Sequence, residues 1–96
     1  MIYNNVMLTV KKPDDIEAVK ALLKKQALLS SDEPGCHRFE VYHSKVDRRQ
    51  FLLIEQWETE EHLALHKEAK AFTELYLPQV IPLVERTPHL CDLVWP

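Results

Sequence analysis

The chain opens with apolar and polar residues in alternation. From Ile2 to Val10 the even positions Ile2, Val6, Leu8 and Val10 are apolar, while Tyr3, Asn5, Met7 and Thr9 are mixed. A period of two predicts a strand whose even face lies on a core, with Asn4 as its one polar interruption. Pro13 stops the strand, and Asp14 with Glu17 has the spacing of a capping box that opens a helix. Ile16, Val19, Leu22, Leu23 and Ala27 then recur at helical spacing and give that helix a single apolar stripe. The polar run from Ser30 to Gly35 ends it.

Two further strands follow. In Cys36–His43, Phe39 and Val41 share one face and Arg38, Glu40 and Tyr42 the other. Lys45–Arg49 reads as a polar hairpin turn, without the Asn-Gly or Asp-Gly pair of the tightest turns. In Gln50–Trp57, Leu52 and Ile54 match the core face, and Phe51, Leu53, Glu55 and Trp57 share the opposite one. Thr59 caps another helix, with Glu60 and Glu61 at the positive end of its dipole. Its pattern runs through Leu63, His66, Phe72, Leu75 and Tyr76, with a kink or restart expected at Pro78 and Pro82. Pro88 introduces a last strand, Leu90–Val94.

The order β-α-β-β-α-β is the ferredoxin-like α+β plan, a four-stranded antiparallel sheet with both helices on one face. The chain of 96 residues reads as a single domain, residues 1–96. The helices cover one side of the sheet. On this reading the other side carries Phe51, Leu53, Trp57, Tyr42, Tyr3 and Met7, too much apolar area to leave in water. A second copy presenting the same face would cover it, so a homodimer is expected.

Composition narrows the chemistry. The single glycine, Gly35, excludes glycine-rich phosphate cradles. A net charge of −3 offers no basic field for nucleic acid. No run approaches the ~20 apolar residues of a membrane span, and no signal peptide is visible, so a cytoplasmic protein is expected. Two cysteines are too few for a disulfide scaffold. His62 and His66 stand four apart on a helix, a spacing that can hold a metal, but no third ligand is evident and no metal is expected.

Asn5, Arg38, Glu40, Glu55 and Trp57 are all expected to point into one partly enclosed layer. Arg38 with Glu40 or Glu55 is either a structural ion pair or part of a polar ring around a ligand. His66 lies one turn from Leu63 and should be at least half buried. It is either a satisfied core histidine or a base.

The segments Glu33-Pro34-Gly35-Cys36-His37-Arg38-Phe39-Glu40-Val41, Phe51-Leu52-Leu53-Ile54-Glu55-Gln56-Trp57-Glu58 and Leu63-Ala64-Leu65-His66 together resemble the antibiotic biosynthesis monooxygenase family. The later Phe72 also fits. The resemblance implies a dimeric α+β barrel. It also implies oxygenation, without cofactor, of a small electron-rich aromatic such as a quinol or anthrone by O2. The catalytic roles it implies fall on Asn5, Trp57 and His66, with Asn4 as an adjacent rival that strand parity disfavours. Arg38, Glu40, Tyr42, Phe51, Glu55 and Phe72 would line the substrate site. The wider superfamily also holds haem-degrading enzymes, isomerases and stress-related dimers without established chemistry. Haem would need His66 as its axial ligand.

Overall fold

The computed structural model describes residues 1–96. Strand β1 (Ile2–Val10) leads through a 3-10 turn (Pro13–Asp15) into helix α1 (Ile16–Ser30). Strands β2 (Cys36–His43) and β3 (Gln50–Trp57) form the hairpin, and helix α2 (Glu60–Glu68) follows. A π-helical segment (Ala71–Val80) and a second 3-10 turn (Ile81–Leu83) lead into β4 (Val84–Cys91). The four strands are antiparallel in the order β2-β3-β1-β4. The ferredoxin-like architecture is therefore as the alternation of elements implied. No helix is long and apolar enough to cross a membrane.

Local chemistry explains most boundaries. Thr59 caps α2 as expected, its hydroxyl accepting from the backbone of His62 at 3.2 Å. The expected capping box at Asp14 is not made. The 3-10 turn satisfies the start of α1 instead, Asp15 N–H donating to the Lys12 carbonyl at 2.9 Å. In the hairpin Ser44 Oγ accepts from the amides of Val46 and Asp47 at 3.2 and 3.0 Å, doing with a side chain what Asn-Gly does with backbone.

The long second helix already breaks at Ala69, which is extended (φ −73, ψ 157), while the restart expected at Pro82 is the 3-10 turn Ile81–Leu83. Pro78 lies inside the π-helical segment. The last strand also differs from expectation, spanning Val84–Cys91 with Pro88 in its interior rather than Leu90–Val94. Its position accounts for this: β4 is an edge strand, where a proline nitrogen can face away from the ladder.

The largest correction concerns faces. Direct partners in an antiparallel ladder project to the same side, and β1 pairs with β3 as Asn4 with Glu55, Val6 with Leu53 and Leu8 with Phe51. The odd residues of β3 thus join the even residues of β1. Phe51 and Leu53 pack with Val6, Leu8, Val10, Val19 and Leu23 under the helices, in a core completed by Tyr76, Val80 and Val84. Glu55 and Trp57 face inward with them rather than towards the uncovered side. Leu52 and Ile54, expected in the core, lie on the open face. Both faces of β3 are apolar, so alternation alone could group its residues but not orient them. The open face carries Tyr3, Asn5 and Met7 of β1, Arg38, Glu40 and Tyr42 of β2, and Leu52 and Ile54 of β3.

Gly35 is the one backbone position with positive φ (+76), and a Cβ there would intrude on the His62 ring. Gly35→Ala should cost about 1–2 kcal/mol from backbone conformation alone, plus the clash. Urea unfolding of Gly35→Ala with and without His62→Ala checks this. The double variant should be more stable than the sum of the two single losses implies.

Candidate active site

Beyond the main core, towards the C-terminal end of β3, the inner face of the sheet changes character. One row across the strands reads Leu90, Asn4, Glu55, Phe39, and the next places Trp57 between Ile2 and Cys36. These positions lie in the same inward series as the core residues, so the pleat buries them whatever their polarity. Trp57, Glu55, His66 and Asn4 are only 0, 3, 4 and 6% exposed. Helix α2 buries two of its residues, Leu63 and His66, which share one face at i, i+3 spacing.

His66 is enclosed by aromatic rings. Its centroid lies 4.4 Å from that of Trp57 at a 31° tilt, 5.8 Å from Phe39 and 5.5 Å from Phe72, which meets it edge-on. Phe39 meets Trp57 edge-on at 6.5 Å. The polar groups are each matched. Glu55 Oε1 accepts from Trp57 Nε1 at 3.0 Å and from Asn4 Nδ2 at 3.3 Å. His66 Nδ1 and Glu33 Oε1 are 2.6 Å apart. Further along, Arg86 Nε donates to the Tyr76 hydroxyl at 2.9 Å.

Burial dominates the titration of this cluster. It pushes the Glu55 carboxyl above the usual carboxylate range, opposed by the Trp57 hydrogen bond, the nearby His66, the Asn4 hydrogen bond and the Arg86 charge. Burial likewise raises the Tyr76 phenol, against the neighbouring Arg86. The Cys36 thiol is pushed up to about 11, chiefly by burial, which removes it as a nucleophile near neutral pH.

A cleft of about 290 Å³ lies beside this cluster between α2 and β4, lined by Asn4, Leu63, Lys67, Arg86, Pro88 and Leu90; of the four buried residues, Asn4 lines it and Glu55, Trp57 and His66 lie behind. Leu63 and Leu90 also line an adjoining hollow of about 440 Å³ at the start of β1. The lining of the cleft mixes the apolar Leu63, Pro88 and Leu90 with the polar Asn4, Lys67 and Arg86.

Of the residues singled out from sequence, Trp57, His66, Glu55 and Phe72 come together here. Asn5 does not: it lies on the open face, its amide donating to Cys91 Sγ at 3.4 Å, and Asn4 stands in its place. Arg38, Glu40 and Tyr42 are also on the open face, where Arg38 Nε and the Tyr42 hydroxyl donate to Glu40 Oε1 at 2.7 and 2.6 Å. This is the structural ion-pair alternative. Phe51 is in the main core, stacked on His43 at 4.1 Å.

Sequence reasoning missed Glu33, Phe39, Tyr76 and Arg86 as members of the site. Phe39 and Tyr76 were legible as inward-facing positions, whereas nothing local marks Glu33, which lies 33 residues from His66. His62, the other histidine of the i, i+4 pair, bonds Thr59 Oγ1 through Nδ1 at 2.8 Å.

An antiparallel ferredoxin-like sheet with an enclosed imidazole, indole and carboxylate between sheet and helices defines the class: a small α+β domain with a buried polar cluster under its helices. The antibiotic biosynthesis monooxygenase family matches residues 1–76, and the chain belongs to that family. No curated protein matches it in sequence. Among solved structures it is similar to a conserved protein of unknown function from Bacteroides thetaiotaomicron, described as a possible oxidoreductase, with TM-score 0.88, 25% identity, and 96% of each chain covered. It is also similar to a candidate antibiotic biosynthesis monooxygenase from Nitrosomonas europaea, with TM-score 0.86, 26% identity, and 99% of this chain and 92% of that one covered. Rv0793 from Mycobacterium tuberculosis matches with TM-score 0.81, 25% identity, and 97% and 96% covered.

The raised Glu55 carboxyl makes a signed prediction. The native state binds the Glu55 proton more tightly than the unfolded chain, so wild-type stability falls as pH rises from about 4.3, the ordinary glutamate value, through the raised native value. Glu55→Gln removes that loss while its amide oxygen can still accept from Asn4 and Trp57. The variant should gain stability relative to wild type across this window, measured by urea unfolding. A difference independent of pH would contradict the assignment.

Proposed function

We propose that the protein is a cofactor-independent monooxygenase acting on a small hydroxylated aromatic of the quinol or anthrone type. The observation that carries this reading is the convergence of Asn4, Glu55, Trp57 and His66 in one buried cluster, of which Asn4 lines the α2–β4 cleft. Triplet O2 reacts slowly with closed-shell molecules, so the substrate must first become a good electron donor. A base does that by removing a proton. The anion gives one electron to O2, the radical pair joins to form a C–O bond, and the protonated base returns its proton to the peroxide. Loss of water from the resulting hydroperoxide leaves one oxygen atom in the product carbonyl and the other in water.

Each residue has a part in that sequence. The Asn4 amide, part of the lining of the cleft, donates to the substrate oxygen where negative charge develops. Lys67 and Arg86 add positive potential at the cleft. His66 takes the proton. Trp57 is fully enclosed, and His66 covers one face of its ring, so it acts as a backing plate for the imidazole rather than as a platform for substrate. The role of His66 as base requires that a substrate in the cleft displace Leu63, which lines it and is buried one turn from His66 on α2. The enclosing rings of Phe39, Trp57 and Phe72 leave a bulky haem less room at His66 than a planar hydroxyarene.

Oxygen uptake with anthrone or 1,4-naphthohydroquinone, measured above autoxidation, tests this reading. Asn4→Ala and His66→Ala should each lose on the order of 10²-fold or more in rate, while Asn5→Ala should stay near wild type. No acceleration by wild type, or equal losses for Asn4→Ala and Asn5→Ala, would overturn it.

The open sheet face supports a homodimer. Tyr3, Met7, Tyr42, Leu52 and Ile54 form its apolar part, and its Arg38–Glu40 pair is already neutralised, which lowers the cost of covering it. A second copy meets that face with the same surface. Sedimentation should give a dimer for wild type and a folded monomer for Ile54→Glu.

A further inference from the structure

We infer that Glu33 is a positioning residue for His66, fixing which imidazole nitrogen carries the lone pair. The catalytic part of this inference rests on His66 as the base proposed above, whereas the tautomer does not.

The geometry is specific. Glu33 Oε1 lies 2.6 Å from His66 Nδ1, and the two side chains are 14 and 3% exposed. A carboxylate accepts only, so the neutral imidazole must place its proton on Nδ1 to satisfy this contact. The lone pair then falls on Nε2, the nitrogen free to receive a substrate proton. Trp57 holds the ring face while Phe39 and Phe72 restrict its rotation. Without a partner at Nδ1, a neutral histidine prefers the opposite tautomer, with its proton on Nε2 and no lone pair there.

Glu33 is itself held. It lies in the turn between α1 and β2, its amide donating to the Ser30 carbonyl at 3.1 Å and its carbonyl accepting from Cys36 at 3.1 Å. Two residues on, Gly35 supplies the positive φ of that turn and packs against His62. Its carbonyl accepts from Glu58 N–H at 2.8 Å. The two histidines of α2 therefore serve one turn: His62 packs over Gly35, and His66 bonds Glu33. This accounts for their i, i+4 spacing without a metal.

Other ionisable groups surround the pair. Glu55 on β3 couples to His66 and to Arg86 on β4, and Cys36 on β2 feels both Glu33 and Glu55. Tyr76 on the π-helical segment couples to Glu55 and Arg86. Glu33 alone of these bonds the imidazole directly.

Long-range ¹H–¹⁵N correlation spectra of the full chain, at a pH where His66 is neutral, test the assignment. Wild type should show protonated Nδ1 and unprotonated Nε2. Glu33→Ala should move the proton largely to Nε2, and Glu33→Gln, which keeps an acceptor oxygen, should retain most of the wild-type pattern. In oxygen uptake, Glu33→Ala should lower kcat on the order of 10²-fold with KM within about twofold, and Glu33→Gln should recover much of it. Glu33→Ala in a His66→Ala background should add no further loss. An Nε2–H tautomer in wild type, or an unchanged tautomer in well-folded Glu33→Ala, overturns the inference. A shifted tautomer with unchanged kcat overturns its catalytic part. If wild type consumes no oxygen, the oxygenase reading fails, and the spectra still decide the role of Glu33.

Discussion

The pairing of β1 with β3 governs where chemistry can occur in this protein. Asn4 opposes Glu55 and Leu8 opposes Phe51, so one inward series carries both the apolar core and the polar cluster. A slip of one residue would send Glu55 and Trp57 to the open face and bring Leu52 and Ile54 under the helices. The resulting core would still be apolar, so apolar content alone does not choose the register. What distinguishes the observed register is the whole set: Phe51 and Leu53 fill the space beneath α1, and Glu55 meets two donors where Trp57 meets an imidazole.

That arrangement carries a cost which the network offsets. A carboxyl almost without solvent contact is unfavourable when ionised. Asn4 and Trp57 supply donors to one of its oxygens, and the cation of Arg86 and the imidazole of His66 supply field. None of these is a close ion pair, and burial still outweighs them. Glu33 and His66 follow a different logic, with a direct short contact at the margin of the same cluster. Two carboxylates thus flank one imidazole, one bound to it and one acting at a distance.

The architecture was legible because element order and period survive tertiary context. The even face of β1, the pairing of Phe39 with Val41 and the Thr59 cap all follow from residues within a few positions of one another. The faces of β3 were not legible, since Phe51, Leu53, Leu52 and Ile54 are equally apolar and only the partner strand breaks the tie. Asn4 shows the same limit in reverse. It shares parity with Val6, Leu8 and Val10, yet its polarity argues against the inside until Glu55 is placed opposite it. Pro88 suggested a strand start because nothing in the sequence marks β4 as an edge. Glu33 left no local signal at all, its partner being a hairpin and most of a helix away.

With β3 oriented, the two faces of the sheet divide the work. Inward lie the carboxylate, indole and imidazole; outward lie a neutralised Arg38–Glu40–Tyr42 ladder and scattered apolar side chains. A small chain has few buried positions, and placing polar ones among them lowers the apolar area that can stabilise it alone. Covering the outer face with a second copy would add burial without touching the inner cluster. The covalent continuity of each strand would still couple them, because adjacent residues such as Asn4 and Asn5 serve opposite faces. A change at the outer face therefore reaches the site through the strand's position rather than through any side chain of its own.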